Sequence, residues 1–259
     1  MKKIFVLLMI ILTVSGCGSS NGKEDSSPRI GTLTQLNATP PQGTNFYDNF
    51  NSMQMALSTN TIDTLKTYGS VAKYMTANNS DFAIKDSQTV PLVDNFCCAL
   101  REEDVDLKNS FDAAIASMKD DGTLDALIKN FIDNPSETPQ AVEISKIDGA
   151  DTIKVGVTGD LPPLDLVLAD GTPAGFNTAV LAEISKRIGK NIELIQVDSG
   201  ARAAALTSKQ VDVIFWVVVP ADDSNRPKDF DTPEGVAVTK PYYQDVVVDV
   251  NLTNLAAGF

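Results

Sequence analysis

Residues 153–197 read IKVGVTGDLPPLDLVLADGTPAGFNTAVLAEISKRIGKNIELIQV, and this stretch decides the fold. The apolar run 153–157 predicts a strand, Asp170-Gly171 predicts a turn, and residues 192–197 predict a second strand. Between the turn and the second strand, apolar residues fall on one helical face, and Gly189 is placed to end that helix: Phe176, Val180, Ile184 and Ile188. A strand, a helix and a strand in this order form a βαβ unit, which predicts a parallel sheet.

The same alternation continues in both directions. Residues 201–206 predict a short helix, and the wholly apolar run 211–219 is typical of a parallel strand buried on both faces. Upstream, residues 30–34 and 61–65 predict strands, and helices are predicted through Met53, Ala56 and Leu57, over 70–76, and along two apolar stripes before and after Gly122. The sequence therefore predicts an α/β fold with two doubly wound lobes joined by a hinge. The predicted halves are 29–133 and 152–250, with a Pro- and Ser-containing linker at 134–151 and a tail at 251–259.

Composition excludes several classes of function. The chain has 34 acidic and 21 basic residues and a net charge of −13, so neither nucleic acid nor an anionic lipid surface is an expected partner. It contains no histidine, which excludes a Ser-His-Asp triad, a Cys-His pair, an HExxH protease site and a zinc deaminase site. The phosphate-loop and G-x-G-x-x-G motifs are also absent from the sequence, and no metal or cofactor is predicted.

The first residues carry the pattern of an export signal. Lys2 and Lys3 precede an apolar run at 4–12 that is too short to span a bilayer, and LTVSGC at 12–17 resembles a bacterial lipobox. This predicts cleavage before Cys17, lipidation of Cys17, and a flexible tether at 18–28. The alternative is an ordinary secretory signal that happens to contain a cysteine.

Two adjacent cysteines lie inside a predicted apolar strand. Adjacent cysteines pair only through a strained ring, so Cys97 and Cys98 are expected to be reduced and structural. A redox or metal-binding role is the alternative.

Taken together, residues 153–197, RAAAL at 202–206, Val211-Asp212 and TKPYY at 239–243 resemble the first lobe of bacterial extracellular solute-binding proteins of the amino-acid transporter type, the type II periplasmic binding proteins. The segments IGTLTQLNAT (30–39), MALSTNTIDTLKTYGSVAKYM (55–75) and FDAAIASMKDDGTLDALIKNFI (111–132) are similar to the second lobe and closing helices. The family runs first lobe, second lobe, closing helices. The order here implies a circular permutation or, alternatively, half-domains that pair between chains in a swapped dimer.

The resemblance implies a ligand site in the cleft between the lobes, where strands end and helices begin. In the first-lobe match it implies roles for Thr158, Asp160 and Leu161, for Arg202 as a clamp on a ligand carboxylate, and for Trp216 as a cleft wall. The alternatives are structural roles. Asp160 would stabilise a turn, Arg202 would be a solvated charge on a helix, and Trp216 would lie in the core. Arg226 lies near the family's carboxylate-binding arginine, but the sequence ADDSN before it departs from the family pattern.

In the other lobe, Thr32, Thr34 and Asn37 are expected on the loop after the first strand. Tyr68 stands where amino-acid binders of the family place an aspartate. A phenol cannot supply that ion pair, which argues against a plain α-amino acid as ligand.

These features predict a lipid-anchored, extracytoplasmic protein that captures a small polar metabolite, amino-acid-like or carboxylate, for an ABC-type importer, and that acts as a monomer. The first alternative is an enzyme on the same scaffold, similar to dehydratases or lyases, with Asp160 or Tyr68 as acid or base. The second is a ligand-sensing lipoprotein without transport.

Overall fold

The computed structural model describes residues 27–34, 43–85, 92–136, 139–221 and 233–253. Cys17, most of the predicted tether, Asn37, Arg226 and residues 254–259 lie outside them. The strands are β1 (Ile30–Leu33), β2 (Thr44–Tyr47), β3 (Thr64–Tyr68), β4 (Phe82–Lys85), β5 (Leu92–Arg101), β6 (Thr152–Val157), β7 (Asp160–Leu161), β8 (Asp165–Val167), β9 (Pro173–Ala174), β10 (Asn191–Gln196), β11 (Val213–Pro220), β12 (Val236–Val238) and β13 (Tyr243–Leu252). The helices are α1 (Phe50–Ser58), α2 (Gly69–Asn78), α3 (Val105–Asp120), α4 (Thr123–Ile128), α5 (Phe176–Ile188) and α6 (Arg202–Thr207), with a π-helical turn at Lys129–Asp133 and a 3₁₀ turn at Ser199–Ala201.

The strands form two groups with the same internal order. In what we call lobe A, the order is β10-β6-β11-β5-β12, and in lobe B it is β2-β1-β3-β13-β4. The first three strands of each group are parallel, and the fourth is antiparallel to them. The predicted α/β class is confirmed. The order, with the first strand central and the second at the edge, is that of a doubly wound sheet.

Two long strands connect the lobes. β5 and β13 pair with each other over 92–96 and 243–247, then diverge, so that β5 continues beside β11 and β12 while β13 continues beside β3 and β4. Each lobe therefore receives its antiparallel strand from the other part of the chain, and the whole becomes one 10-stranded sheet. We call β5 and β13 the crossover strands.

The crossover changes the predicted division of the chain. Helices α3 and α4 pack on α5 of lobe A, although the sequence prediction placed them in the half 29–133 with lobe B. In the same way, β13 carries residues of the predicted half 152–250 into lobe B. Neither lobe is a continuous segment, because two strands must cross before either sheet is complete.

The predicted linker is held against lobe A. Across 134–136 and 139–151 the backbone forms no strand of its own apart from an isolated bridge between Ala141 and Ala174. The Val142 N–H donates to the carbonyl of Pro173, and the Asn191 side chain exchanges hydrogen bonds with the Ile147 backbone. This segment thus spans the gap between the α4 region and β6 by lying on the surface of lobe A.

The helical predictions hold where a stripe and a stop signal coincide. The α5 face formed by Phe176, Val180 and Ile184 is fully buried, and the helix ends at Gly189 in the left-handed conformation, with φ 67°. In α3, Phe111, Ile115 and Met118 are equally buried. The strand predicted at 61–65 instead begins at Thr64, because the N–H groups of Thr61 and Ile62 donate to the carbonyl of Ala56 at the end of α1 rather than to a neighbouring strand.

Gly175, at the start of α5, is expected to tolerate no side chain. Its φ is +93°, and a Cβ there would approach the carbonyl oxygens of Pro163 at 2.7 Å and Leu164 at 2.9 Å. These are backbone atoms that themselves accept hydrogen bonds from Phe176 and Asn177. Gly175→Ala should therefore lower the free energy of unfolding by about 2 kcal/mol in a urea titration. Gly171→Ala is the matched control: its φ is +84°, but nothing lies within 4 Å of its Cβ position, so a smaller loss is expected. Equal losses would show that backbone strain alone, without the contact, sets the cost.

Candidate functional site

The two lobes face each other at the ends of their parallel strands. A cavity of about 190 Å³ lies between them. Lobe B contributes Asp48, Asn49 and Asn51, and lobe A contributes Thr158, Asp160, Gln196 and Asp198. We call this cavity the cleft.

Local folding explains why these residues meet. β2 ends at Tyr47, so Asp48 and Asn49 form the turn into α1, and the Asn49 side chain caps that helix by accepting the N–H of Ser52 at 2.9 Å. In lobe A, β6 ends at Val157 and β10 at Gln196. Ligand sites of α/β sheets lie where parallel strands end, because the loops and helix N-termini there expose unpaired polar groups.

Asp160 bridges the lobes. Its carboxylate accepts the backbone N–H of Phe50, the first residue of α1, at 2.6 Å. Burial raises the pKa of Asp160 to about 6; the N–H groups of Phe50 and Asn51 oppose this shift, and the charges of Asp165 and Asp198 add to it. The turn-stabilising alternative for this residue does not describe its main contact, which is with the other lobe.

Thr158 is held by a second buried carboxylate. Both its N–H and its hydroxyl donate to Asp165, at 2.8 and 2.9 Å. Burial raises the pKa of Asp165, while hydrogen bonds from Gly159 and Thr158 and the nearby Trp216 side chain lower it. Asp165 therefore fixes the loop that carries Thr158 and Asp160.

Arg202 is buried at the lobe interface, with 1% of its surface exposed, which overturns the solvated-charge alternative. Its guanidinium donates to the carbonyl of Ser199 (3.1 Å), to that of Trp216 (2.6 Å) and, across the interface, to that of Thr34 (3.2 Å). It also lies 4.7 Å from the Trp216 ring centroid. In this arrangement Arg202 contacts protein carbonyls, and its role as a clamp on a ligand carboxylate remains a prediction.

Trp216 lies in the middle of β11 and is 2% exposed, which is the core position given as its alternative. It packs with Tyr68 of lobe B and Phe96 of the crossover strand β5, with ring centroids 4.7–6.1 Å apart. Trp216 and Tyr68 thus pack together in the apolar core where the lobes join.

The remaining predicted residues have mixed positions. Leu161 is fully buried in the core. Thr32 lies within β1, not on the loop after it, because that strand continues to Leu33. Thr34 does follow the strand, and its hydroxyl hydrogen bonds Asp48 at 3.0 Å.

Sequence reasoning missed two groups of cleft residues. In lobe B they are Asp48, Asn49 and Asn51, and in lobe A they are Gln196 and Asp198. Asp48 and Asn49 directly follow β2, but β2 was not predicted and they therefore had no strand to follow; Asn51 lies in the first turn of α1. For Gln196 and Asp198 the signal was present, since the strand ending at 197 was predicted and polar residues stood at its end.

A larger open groove of about 740 Å³ lies on lobe A beside the cleft. Its lining comes from residues 141–144, Val157, the β8–β9 hairpin and β10, with no residue of lobe B, and it shares Gln196 with the cleft. The buried thiols also lie outside the cleft: Cys97 and Cys98 are free, and burial raises the pKa of Cys97 to about 12, which suppresses thiolate chemistry. Within the described ranges, no cluster of three or more acidic or cysteine side chains could hold a metal.

Comparisons with known proteins agree with the sequence resemblance over part of the chain. Residues 153–250 match the family model of bacterial extracellular solute-binding proteins, family 3. The L-cystine-binding protein TcyJ of Escherichia coli (strain K12) is 29% identical over 90 residues, which cover 35% of this chain and 34% of that protein. A probable amino-acid ABC transporter-binding protein of Haemophilus influenzae is 27% identical over 99 residues, which cover 37% and 38%. The match thus spans about a third of the length of these relatives.

Among solved structures, the ligand-binding component of an ABC-type import system from Staphylococcus aureus aligns with 88% of this chain and 67% of its own. The TM-score is 0.44 at 11% identity. A nutrient-binding protein from Burkholderia cenocepacia aligns with 88% of this chain and 86% of its own, at a TM-score of 0.39 and 9% identity. These scores are too low to carry an argument about the fold, so the family relationship rests on the sequence matches. Over residues 153–250, which run from β6 into crossover strand β13, this chain is similar to the bacterial extracellular solute-binding proteins of family 3.

Proposed function

We propose that this chain is an extracytoplasmic solute-binding protein that captures a small, polar, amino-acid-like molecule for an ABC-type importer. The observation that carries the proposal is the cleft, where polar residues from two lobes of matching strand order line one cavity between the lobes. The family match over 153–250 and the named functions of the two relatives support it. A lobe pair joined by two crossing strands suits hinge closure around a ligand.

The cleft favours a solute with an amino group. Its lining includes the carboxylates of Asp48, Asp160 and Asp198, and the other lining residues are amides and a threonine. These carboxylates attract a positively charged group, whereas they repel another acid in the same space. This departs from the emphasis on carboxylate ligands that Arg202 suggested in the sequence.

Membrane attachment through Cys17 remains part of the proposal. The lipobox-like LTVSGC and the polar stretch after it support an anchor with a tether. None of the helices within the described ranges combines the length and apolarity that a bilayer span requires. Mass spectrometry of the membrane fraction should find a diacylglyceryl group on Cys17, and its absence in Cys17→Ala would locate the modification.

The permuted lobe order is also proposed. It is supported by the position of the family match, which begins at residue 153, after lobe B strands β1 to β4. The described pairing joins both lobes within one chain, so we propose a monomer. Light scattering of the purified protein distinguishes this from a swapped dimer of twice the mass.

Solute binding is tested by thermal shift of the purified protein, without its first 17 residues, against a panel of amino acids, amines and small acids. A solute at 100 times its Kd should stabilise the fold by about 2.7 kcal/mol. Asn51→Ala, which removes a cleft amide that does not line the open groove, should weaken binding about tenfold. Gln210→Ala, an exposed residue outside the cleft, is the matched control. If a solute binds both variants as tightly as it binds the original protein, its site lies outside the cleft.

The same experiment addresses the enzyme alternative. A binding protein returns its solute unchanged after prolonged incubation, and chromatography of the recovered solute measures this. Formation of a new product at a rate that Asp160→Asn abolishes would favour an enzyme with Asp160 as its acid or base.

A further inference from the structure

The Asp160 contact with α1 has a property that solute binding alone does not require. The residues are 110 positions apart and belong to opposite lobes, yet the Asp160 carboxylate lies 2.6 Å from the Phe50 nitrogen. Asn51, the next residue of α1, also directs its N–H to this carboxylate. The first N–H groups of a helix have no partner within the helix and carry its positive dipole end, so they attract an acid group.

The α1 N-terminus is completed by this carboxylate. The Asn49 side chain satisfies the N–H of Ser52, and Asp160 takes the N–H groups of the two residues before Ser52. The α1 helix has nine residues, which is long enough for its dipole to matter in the first turn. The carboxylate therefore occupies the position in which an acid group of a bound molecule would meet this helix.

We propose that Asp160 is an internal ligand, which binds the α1 N-terminus across the cleft, holds the lobes together without a solute, and reserves the cleft for basic solutes that lack an acid group at this end. This inference rests on the proposed solute-binding function and names the class of solute. An acidic solute would have to displace Asp160, whereas an amine can bind beside it.

Other contacts across the interface are consistent with a closed arrangement. The Ser199 N–H donates to the Asp48 carbonyl at 3.0 Å, and Arg202 donates to the Thr34 carbonyl. Asp160 differs from them because its contact places an acid group at a helix N-terminus.

The groups around Asp160 act on its charge in opposite directions. The acidic groups facing it are Asp165 from β8, Asp198 before α6 and Asp48 before α1, and no described residue lining the cleft is a lysine or arginine. Burial and the lobe A charges of Asp165 and Asp198 raise the pKa of Asp160 to about 6, whereas the N–H groups of Phe50 and Asn51, which come from lobe B, lower it. The contact with α1 therefore favours the ionised carboxylate, as expected for an acid group at a helix N-terminus.

Small-angle X-ray scattering of the solute-free protein tests whether Asp160 holds the lobes together. We expect the original protein to be compact and Asp160→Ala to be more open. Asp160→Asn should remain compact, since its amide oxygen can still accept the Phe50 N–H. Asp120→Ala, an exposed aspartate on α3, is the control and should behave as the original protein. Far-UV circular dichroism confirms that each variant is folded. An Asp160→Ala protein that is folded and as compact as the original would overturn the proposal.

Two four-carbon probes test the selectivity. We expect 1,4-diaminobutane to raise the Tm of the original protein more than succinate does, and Asp160→Ala to reverse this preference by freeing the α1 N-terminus. Succinate stabilising the original protein as well as the diamine, with no gain in Asp160→Ala, would contradict the selectivity. If other solutes bind in the cleft while Asp160→Ala changes neither closure nor preference, the proposed function stands and the internal ligand fails. If no solute binds but the scattering result holds, the internal ligand stands and the proposed solute-binding function fails.

Discussion

Arg202→Ala is expected to lower the free energy of unfolding by about 3–5 kcal/mol, which is at the upper end for a single substitution. The guanidinium is 1% exposed and donates to three backbone carbonyls, those of Ser199, Trp216 and Thr34. Removing it takes the side-chain donor from all three carbonyls, although that of Ser199 keeps the Arg202 backbone N–H, and it empties the space over the Trp216 ring. The loss exceeds that of an ordinary hydrogen bond because one group serves both lobes.

Urea unfolding followed by far-UV circular dichroism measures this loss. Arg29→Ala is the matched control, since Arg29 is an exposed arginine paired with Asp63 at the surface, and no measurable change is expected there. A change at Arg202 as small as the one at Arg29 would show that the buried guanidinium does not join the lobes. Arg202→Ala should also abolish solute binding by opening the interface, so lost binding in this variant alone does not identify a carboxylate clamp.

Phe96→Ala is expected to cost a similar amount, about 3–5 kcal/mol. Phe96 lies on crossover strand β5, is fully buried, and packs its ring against four others: Tyr68, Trp216, Tyr242 and Tyr243. These rings come from lobe B, lobe A and the other crossover strand. Deleting the central ring leaves a cavity that the surrounding strands cannot fill without shifting the crossover.

The measurement is again urea unfolding, with Met55→Ala as control. Met55 is an apolar residue that is 67% exposed, and its removal should change stability by less than about 0.5 kcal/mol. If Phe96→Ala were as mild, the aromatic cluster would not be what unites the lobes.

The elements of lobe A were predictable because their signals are local. Strand β6, the β8–β9 turn, α5 and β10 follow one another within 45 residues, and each carries its own periodicity or stop signal. The crossover was not predictable in this way. β13 pairs with β3, β4 and β5, which lie more than 140 residues earlier, and no local pattern encodes such pairing.

The residues of the site also divide into those that the sequence could indicate and those that it could not. Asp160, Thr158 and Arg202 could be selected because the resemblance marked their loops, and the structure brings all three to the lobe interface. Their partners could not be selected. Asp160 meets a backbone N–H and Arg202 meets carbonyls, and main-chain groups are present at every residue, so the sequence does not distinguish them.

Hydrogen exchange with and without the most stabilising solute of the panel tests most directly whether a solute is held between the lobes. The account predicts slower exchange at residues 48–51 of lobe B together with residues 158–160 and 196–198 of lobe A. Protection confined to one lobe, or located at the open groove along residues 141–144, would contradict it.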